Sequence, residues 1–240
     1  MDGFLQSLIS LATAGCMLFS SAVDTAAPQN DGDGLLFLVN RTWQVSPDYI
    51  PELRMTNVPG QVRRMRPDAS AALEEMYAAC LAETGKTLVA VSGYRDYDKQ
   101  ARLYQNKLKS VGNKVEKADE YVARPGTSEH QLALAMDVGQ ANAKNNLMDS
   151  FGKTEGGVWV RENCWRFGFI LRYGEAWESV TGYRYEPWHV RYVGKEAAAA
   201  IHETPMPLET YLLMHREKLL EELLDPALDP ANDMTVMVKE

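Results

Sequence analysis

Residues Ser128-Glu-His-Gln-Leu-Ala-Leu-Ala-Met-Asp137 decide how this chain is read, because bulky apolar residues alternate with small or polar ones from Gln131 onward. In a β-strand Leu132, Leu134, Met136 and Val138 would share one face and Gln131, Ala133, Ala135 and Asp137 the other, since successive side chains point to opposite sides. The first face suits a core. The second is nearly bare, with one carboxylate beside two alanines, and leaves room above a sheet for a ligand.

Working outward, Thr87 to Val91 is a second β-prone run ending at Ser92-Gly93. Asp96 is placed to cap a helix with Tyr97, Ala101, Tyr104 and Leu108 on its apolar face, so Arg95 sits where a strand turns into a helix. Earlier still, Leu73, Met76, Tyr77, Cys80 and Leu81 are spaced as the stripe of an amphipathic helix that follows Pro67 and stops at Gly85, with Asp68 and Ser70 as candidate caps. Cys80 on that stripe reads as a structural thiol. Leu35 to Asn40 reads as a buried strand or an ordered lead-in, and Pro47, Pro51 and Pro59 argue for an extended wrap. Downstream, Lys107 to Glu120 reads as a solvated helix end and loop, Val158 to Trp165 as helix and Phe169 to Leu171 as strand. Tyr183 to Tyr192 is a strand region interrupted by Pro187, and Lys195 to Ile201 and Leu208 to Leu224 are helical. Strands mixed with helices at both ends predict an α+β single domain, a mainly antiparallel sheet flanked by helices.

The 240 residues suffice for one sizeable core, and a net charge of −8 gives no broad attraction for a phosphate backbone, so no nucleic-acid role is expected. The three cysteines, Cys16, Cys80 and Cys164, match no knuckle or redox spacing, so metal ligands would have to be His and carboxylate. Gly3 to Val23 is uncharged and apolar enough to suggest an export signal or a membrane anchor, although Asp2 stands where a basic residue is expected. The expected organisation is an export or anchor segment plus linker over 1–34, a catalytic domain over 35–225 and a polar tail over 226–240. Its place of work would be extracytoplasmic, secreted or membrane-anchored.

Of four histidines, His130 and His189 stand in particular company, Ser128 to Asp137 and Glu186-Pro-Trp-His189, whereas His202 and His215 do not. A catalytic zinc site needs three protein ligands and one open position, which His130, Asp137 and His189 would satisfy. Peptide hydrolysis there also needs a base and an acid, and Glu186 is the candidate for both. On a straight strand Glu186 and His189 would face opposite sides, so Pro187 must bend the chain or the two must leave regular pairing.

These segments resemble the successive signatures of the D-alanyl-D-alanine carboxypeptidase family of zinc peptidases, which includes the VanY-type enzymes. The resemblance runs from Leu35 to Tyr211 through Ser92-Gly-Tyr-Arg95 with Gln100, Arg124-Pro-Gly-Thr-Ser-Glu-His130 on to Asp137, and Thr181-Gly-Tyr-Arg-Tyr-Glu-Pro-Trp-His-Val-Arg-Tyr-Val-Gly194. It implies a zinc site in the groove above the sheet, with His130, Asp137 and His189 as ligands and Glu186 as base. It further implies Arg95, Gln100, Ser128 and Tyr173 as contacts to the peptide or its transition state, Arg95 by gripping a terminal carboxylate or an oxyanion. The implied substrate is a peptidoglycan stem peptide at the bacterial cell wall, cut by a monomer. D,D-carboxypeptidase action on the pentapeptide is the first expectation. L,D-carboxypeptidase action on the tetrapeptide, L-alanyl-D-glutamate endopeptidase action, and a non-catalytic zinc-bearing binding module are the alternatives. One departure is Ala133, where the family usually has glycine.

Overall fold

The computed structural model describes residues 34–144 and 146–215. The expected export segment and the tail over 226–240 lie outside the described residues, as does the part beyond residue 215 of the helix expected over Leu208 to Leu224. Among the described residues no helix is long and apolar enough to cross a membrane.

The main sheet has five strands in the order β2 (Gly60–Val62), β4 (Leu88–Ser92), β5 (Ala135–Gln140), β7 (His189–Tyr192) and β6 (Phe169–Leu171). Only β2 and β4 run parallel; the remaining pairs are antiparallel, as expected. Strands β1 (Arg54–Met55) and β3 (Arg64–Met65) form a separate antiparallel ribbon. Around the sheet lie α1 (Pro67–Thr84), α2 (Tyr97–Ser110), α3 (Val115–Asp119), α4 (Glu155–Asn163), α5 (Glu178–Thr181), α6 (Lys195–Glu203) and a last helical stretch, α7, over 208–215. Helix α3 lies within the stretch expected to be a solvated helix end and loop, and Ala118 is its buried residue.

Helix α1 starts at Pro67, whose fixed φ suits the first helical turn, and ends at Gly85 in the left-handed region at φ 70°. Neither expected cap is used. Asp68 accepts from the adjacent Ala69 N–H, while Ser70 is buried and donates to Thr56 Oγ1 at 2.9 Å. The apolar stripe reaches the core through Leu73, Met76, Tyr77 and Cys80, but Leu81 is exposed at the margin of that stripe. The core joins these to Leu88, Ala90, Met136, Val138 and Val190, each full burial of a large side chain stabilising by roughly 1.5–3 kcal/mol. A second cluster, Ile170, Val193, Ala198, Ile201 and Leu208, holds α6 and α7 against the sheet edge.

One open expectation is decided and another is corrected. Leu35 to Asn40 forms no strand; it is an ordered lead-in whose Leu35 and Phe37 carbonyls accept from Arg191 Nη2 at 2.8 Å each. The alternating stretch is strand only from Ala135 on, because Glu129–Leu132 forms one 3-10 turn that closes on Ala133 at φ 56°. That turn drives Glu129 inward to meet two buried arginines, which a straight strand would not do. On the face of small side chains Ala133 and Ala135 are buried, while Asp137 lines a groove.

Candidate metal and catalytic centre

Asp137 and His189 are direct partners in the β5–β7 ladder, which places their side chains on one face of the sheet. His130 reaches the same point from the 3-10 turn, and the donor atoms of the three residues lie within 4.8 Å of one another. Asp137 Oδ1 stands 3.4 Å from His130 Nε2 and 3.2 Å from His189 Nδ1, and the two rings meet edge to face at 5.0 Å.

The outer nitrogens fix how the rings are presented. His130 Nδ1 lies 2.8 Å from the Gly93 carbonyl, which can only accept, so Nδ1 carries the proton and Nε2 faces Asp137 as a lone pair. Gly93 is needed because a Cβ there would come within 2.7 Å of the Arg64 carbonyl. On the other ring, Nε2 lies 3.3 Å from Glu129 Oε2 and donates to it. His130 Nε2 and Asp137 Oδ1 are both buried without a hydrogen-bond partner. Such orphans are costly, and a cation between two imidazole nitrogens and a carboxylate would satisfy both while keeping a fourth position open. Without one, burial opposes charge on His189, but the adjacent carboxylates of Asp137 and Glu129 outweigh that and push it up to about 9. His130 is held below its usual range by burial and by Arg95.

Glu186 precedes the strand in a turn closed by the His189 N–H donating to the Glu186 carbonyl at 3.1 Å. Pro187 and Trp188 form that turn, so Glu186 and His189 present their side chains to one site, with Glu186 Oε2 3.8 Å from His189 Nδ1. Burial, reinforced by Asp137, raises the Glu186 carboxyl to about 7. The centre lies in a groove of about 690 Å³ that also receives Arg95, Gln100, Ser128 and Tyr173. All eight residues singled out in the sequence therefore line one cavity.

Their individual settings differ. Arg95 is anchored by its own N–H donating to the His130 carbonyl at 3.2 Å, while its side-chain Nε is buried without a partner. Gln100 donates to the Ala123 carbonyl at 2.7 Å and leaves its Oε1 unpartnered. Tyr173 lies with its ring centre 4.9 Å from that of His189, and burial keeps its hydroxyl protonated well above the usual range. Ser128 is buried at the start of the 3-10 turn and makes no side-chain cap bond. His202 stacks on Trp165 at 4.4 Å and His215 on Tyr211, both apart from the groove. Cys80 and Cys164 are buried free thiols, and burial pushes Cys164 up to about 12.

Four residues of the centre's surroundings were not anticipated: Glu129, Arg172, Arg191 and Glu209. Glu129 accepts from Arg172 Nε at 2.7 Å and Arg191 Nη1 at 2.9 Å, with all three side chains fully buried. The available signal was arginine set among strand residues, in Phe169-Ile-Leu-Arg172 and His189-Val-Arg191, because a buried strand admits a charge only with a partner.

Residues 62–195 match the VanY family of D-alanyl-D-alanine carboxypeptidases. The chain is 40% identical over 196 residues to a putative carboxypeptidase, YodJ, of Bacillus subtilis (strain 168), across 79% of this chain and 71% of that protein. Among solved structures it is similar to the LD-carboxypeptidase LdcB, with a TM-score of 0.68 and 42% identity over 73% of this chain and 84% of that one. It is also similar to a variant of the vancomycin-resistance D,D-pentapeptidase VanY in complex with Zn(II), with a TM-score of 0.64 and 35% identity over 74% and 98% of the two chains.

Proposed function

From the premise that this chain belongs to the VanY family of D-alanyl-D-alanine carboxypeptidases, we propose that it is a zinc-dependent D,D-carboxypeptidase removing the terminal D-alanine from pentapeptide stems of peptidoglycan. The observation that carries the reading is the convergence of His130 Nε2, Asp137 Oδ1 and His189 Nδ1, two of them buried without a hydrogen-bond partner, with the Glu186 carboxylate beside them. His130, Asp137 and His189 would hold the ion. Zinc bound there supplies Lewis acidity, polarising the scissile carbonyl and acidifying the attacking water.

Glu186 takes the proton from that water and hands it to the leaving amine, which requires its carboxylate to be ionised when substrate is bound. Its raised pKa of about 7 suits both halves of the transfer, although a cation beside it would draw the value down. Arg95 grips the terminal carboxylate or the developing oxyanion with two parallel N–H groups. Gln100 Oε1, buried and unpartnered, accepts from a substrate N–H; Tyr173, held protonated, and Ser128 serve as donors lining the groove. In keeping with its substrate, the protein would act outside the cytoplasm as a monomer, with 1–34 as export segment or anchor.

A second reading is L,D-carboxypeptidase action on tetrapeptide stems, favoured by the 42% identity to LdcB. The two separate in one experiment. The protein, stripped with chelator and then reloaded with zinc, is incubated with defined pentapeptide and tetrapeptide stems, and products are weighed by mass spectrometry. Zinc-dependent loss of one D-alanine from the pentapeptide is expected. Loss from the tetrapeptide alone reassigns the enzyme to L,D chemistry, and no cleavage of either stem at any bond by metal-loaded protein overturns the hydrolase reading in favour of a binding module.

A further inference from the structure

We infer that Glu129 is the positioning residue for His189, and that Arg172, Arg191 and Glu209 carry this support from the metal centre to the first and last segments of the described chain. The inference rests on the metal-site reading above. Its basis is a closed accounting of charges and donors behind the ring.

A buried carboxylate is costly unless it is paired and its lone pairs are filled. Oε1 of Glu129 takes both arginines, and Oε2 faces His189 Nε2. Two guanidinium groups against one carboxylate would leave a buried positive charge. Glu209, on α7, cancels it with a two-pronged contact to Arg172 at 2.9 and 2.6 Å. The other donors of Arg191 are matched in turn, Nη2 by the carbonyls of Leu35 and Phe37 and Nε by that of Tyr192.

What remains is one carboxylate oxygen held still and facing one ring nitrogen. An ionised carboxylate only accepts, so Glu129 holds the proton on Nε2, and Nδ1 is left to offer its lone pair to a cation beside Asp137 and His130. In the other tautomer Nδ1 would carry the proton and could not bind a metal. Stability alone does not account for the arrangement, because apolar residues of similar volume often do as well as a buried ion network. Helix α7 and the lead-in at Leu35 to Phe37 thereby become supports of the metal centre, although neither lines the groove.

The test compares full-length wild type, Glu129→Gln and Glu209→Gln. Zinc affinity is measured by competition with a chromophoric chelator, beside thermal unfolding of the metal-free proteins. Glu129→Gln should weaken zinc binding about 10–100-fold, the usual consequence of removing a ligand's outer partner, and Glu209→Gln should weaken it less but in the same direction. Affinities within twofold of wild type in both, with only the metal-free stability lowered, would reduce the network to structure and overturn the inference. Should Glu129→Gln fail to fold, the metal-free wild type decides through the ring 15N shifts of His189 recorded above its pKa of about 9, where one ring proton remains. A proton on Nε2 is expected and a proton on Nδ1 overturns. That readout needs no zinc, so it separates failure of this inference from failure of the metal reading.

Discussion

The two nitrogens of His189 face regions built on opposite rules. Behind Nε2, Glu129, Arg172, Arg191 and Glu209 match charge for charge, and the acids hold both arginines in place. In front of Nδ1, the groove keeps His130 Nε2, Asp137 Oδ1, Arg95 Nε and Gln100 Oε1 buried with no hydrogen-bond partner. Each such orphan costs roughly 1–3 kcal/mol, so the front face is destabilised by itself and is completed by what it binds. The contrast is that of a preorganised site: saturation where geometry must be kept, unmet capacity where ligands must enter.

The largest expected effect breaks the front face at its base. Glu186→Gln keeps the side chain's size but cannot accept a proton, so kcat on the pentapeptide should fall by about 10²–10⁴-fold with zinc content unchanged. Wild-type activity should likewise fall as pH drops through the Glu186 pKa, about 7 in the metal-free site and lower with a cation present, and this acid limb should be absent from the residual rate of the variant. A metal-loaded variant that turns over at the wild-type rate removes Glu186 from the chemistry.

A smaller loss is expected at Arg95, whose Nε is buried without a partner. If Arg95 grips the terminal carboxylate, Arg95→Ala should raise KM by about 10–100-fold, the equivalent of a charge-assisted bidentate contact. Amidating the substrate's last residue should cost a similar factor in wild type and little more in the variant. Additive losses in that double cycle would assign Arg95 to the transition state or to structure instead.

The smallest effect lies at the hinge between the two regions. Ala133 sits in the left-handed region at φ 56°, where a methyl group is strained and glycine is not. The family's usual glycine is thereby explained by backbone conformation rather than by close approach alone. Ala133→Gly should raise stability by about 0.5–1 kcal/mol once glycine's greater unfolded freedom is deducted, or roughly 1–4 °C in Tm. An unchanged or lower Tm would show that the turn bears no strain there.

Much of this molecule was legible along the chain. Asp96 caps α2 by accepting from Lys99 N–H, Gly85 stops α1, and the strands at Leu88, Ala135 and Phe169 lie where alternation and β-prone runs put them. These features depend on neighbours a few residues apart, which periodicity and turn chemistry record directly. The three metal-ligand candidates and the acid beside them stood out by the company they keep, and the resemblance to the carboxypeptidase family added Arg95, Gln100, Ser128 and Tyr173.

Only the tertiary structure decided how those residues meet. By alternation alone His130 and Asp137, seven positions apart, would fall on opposite faces of one strand; the 3-10 turn over Glu129–Leu132 and the left-handed Ala133 bring them to one point. The same turn buries Glu129, whose partners lie 43 and 62 residues further along the chain. Local patterning marks a residue as buried or exposed but not which distant charge will neutralise it. That choice is made when strands pair and a carboxylate cut off from water must find its arginines within hydrogen-bond reach.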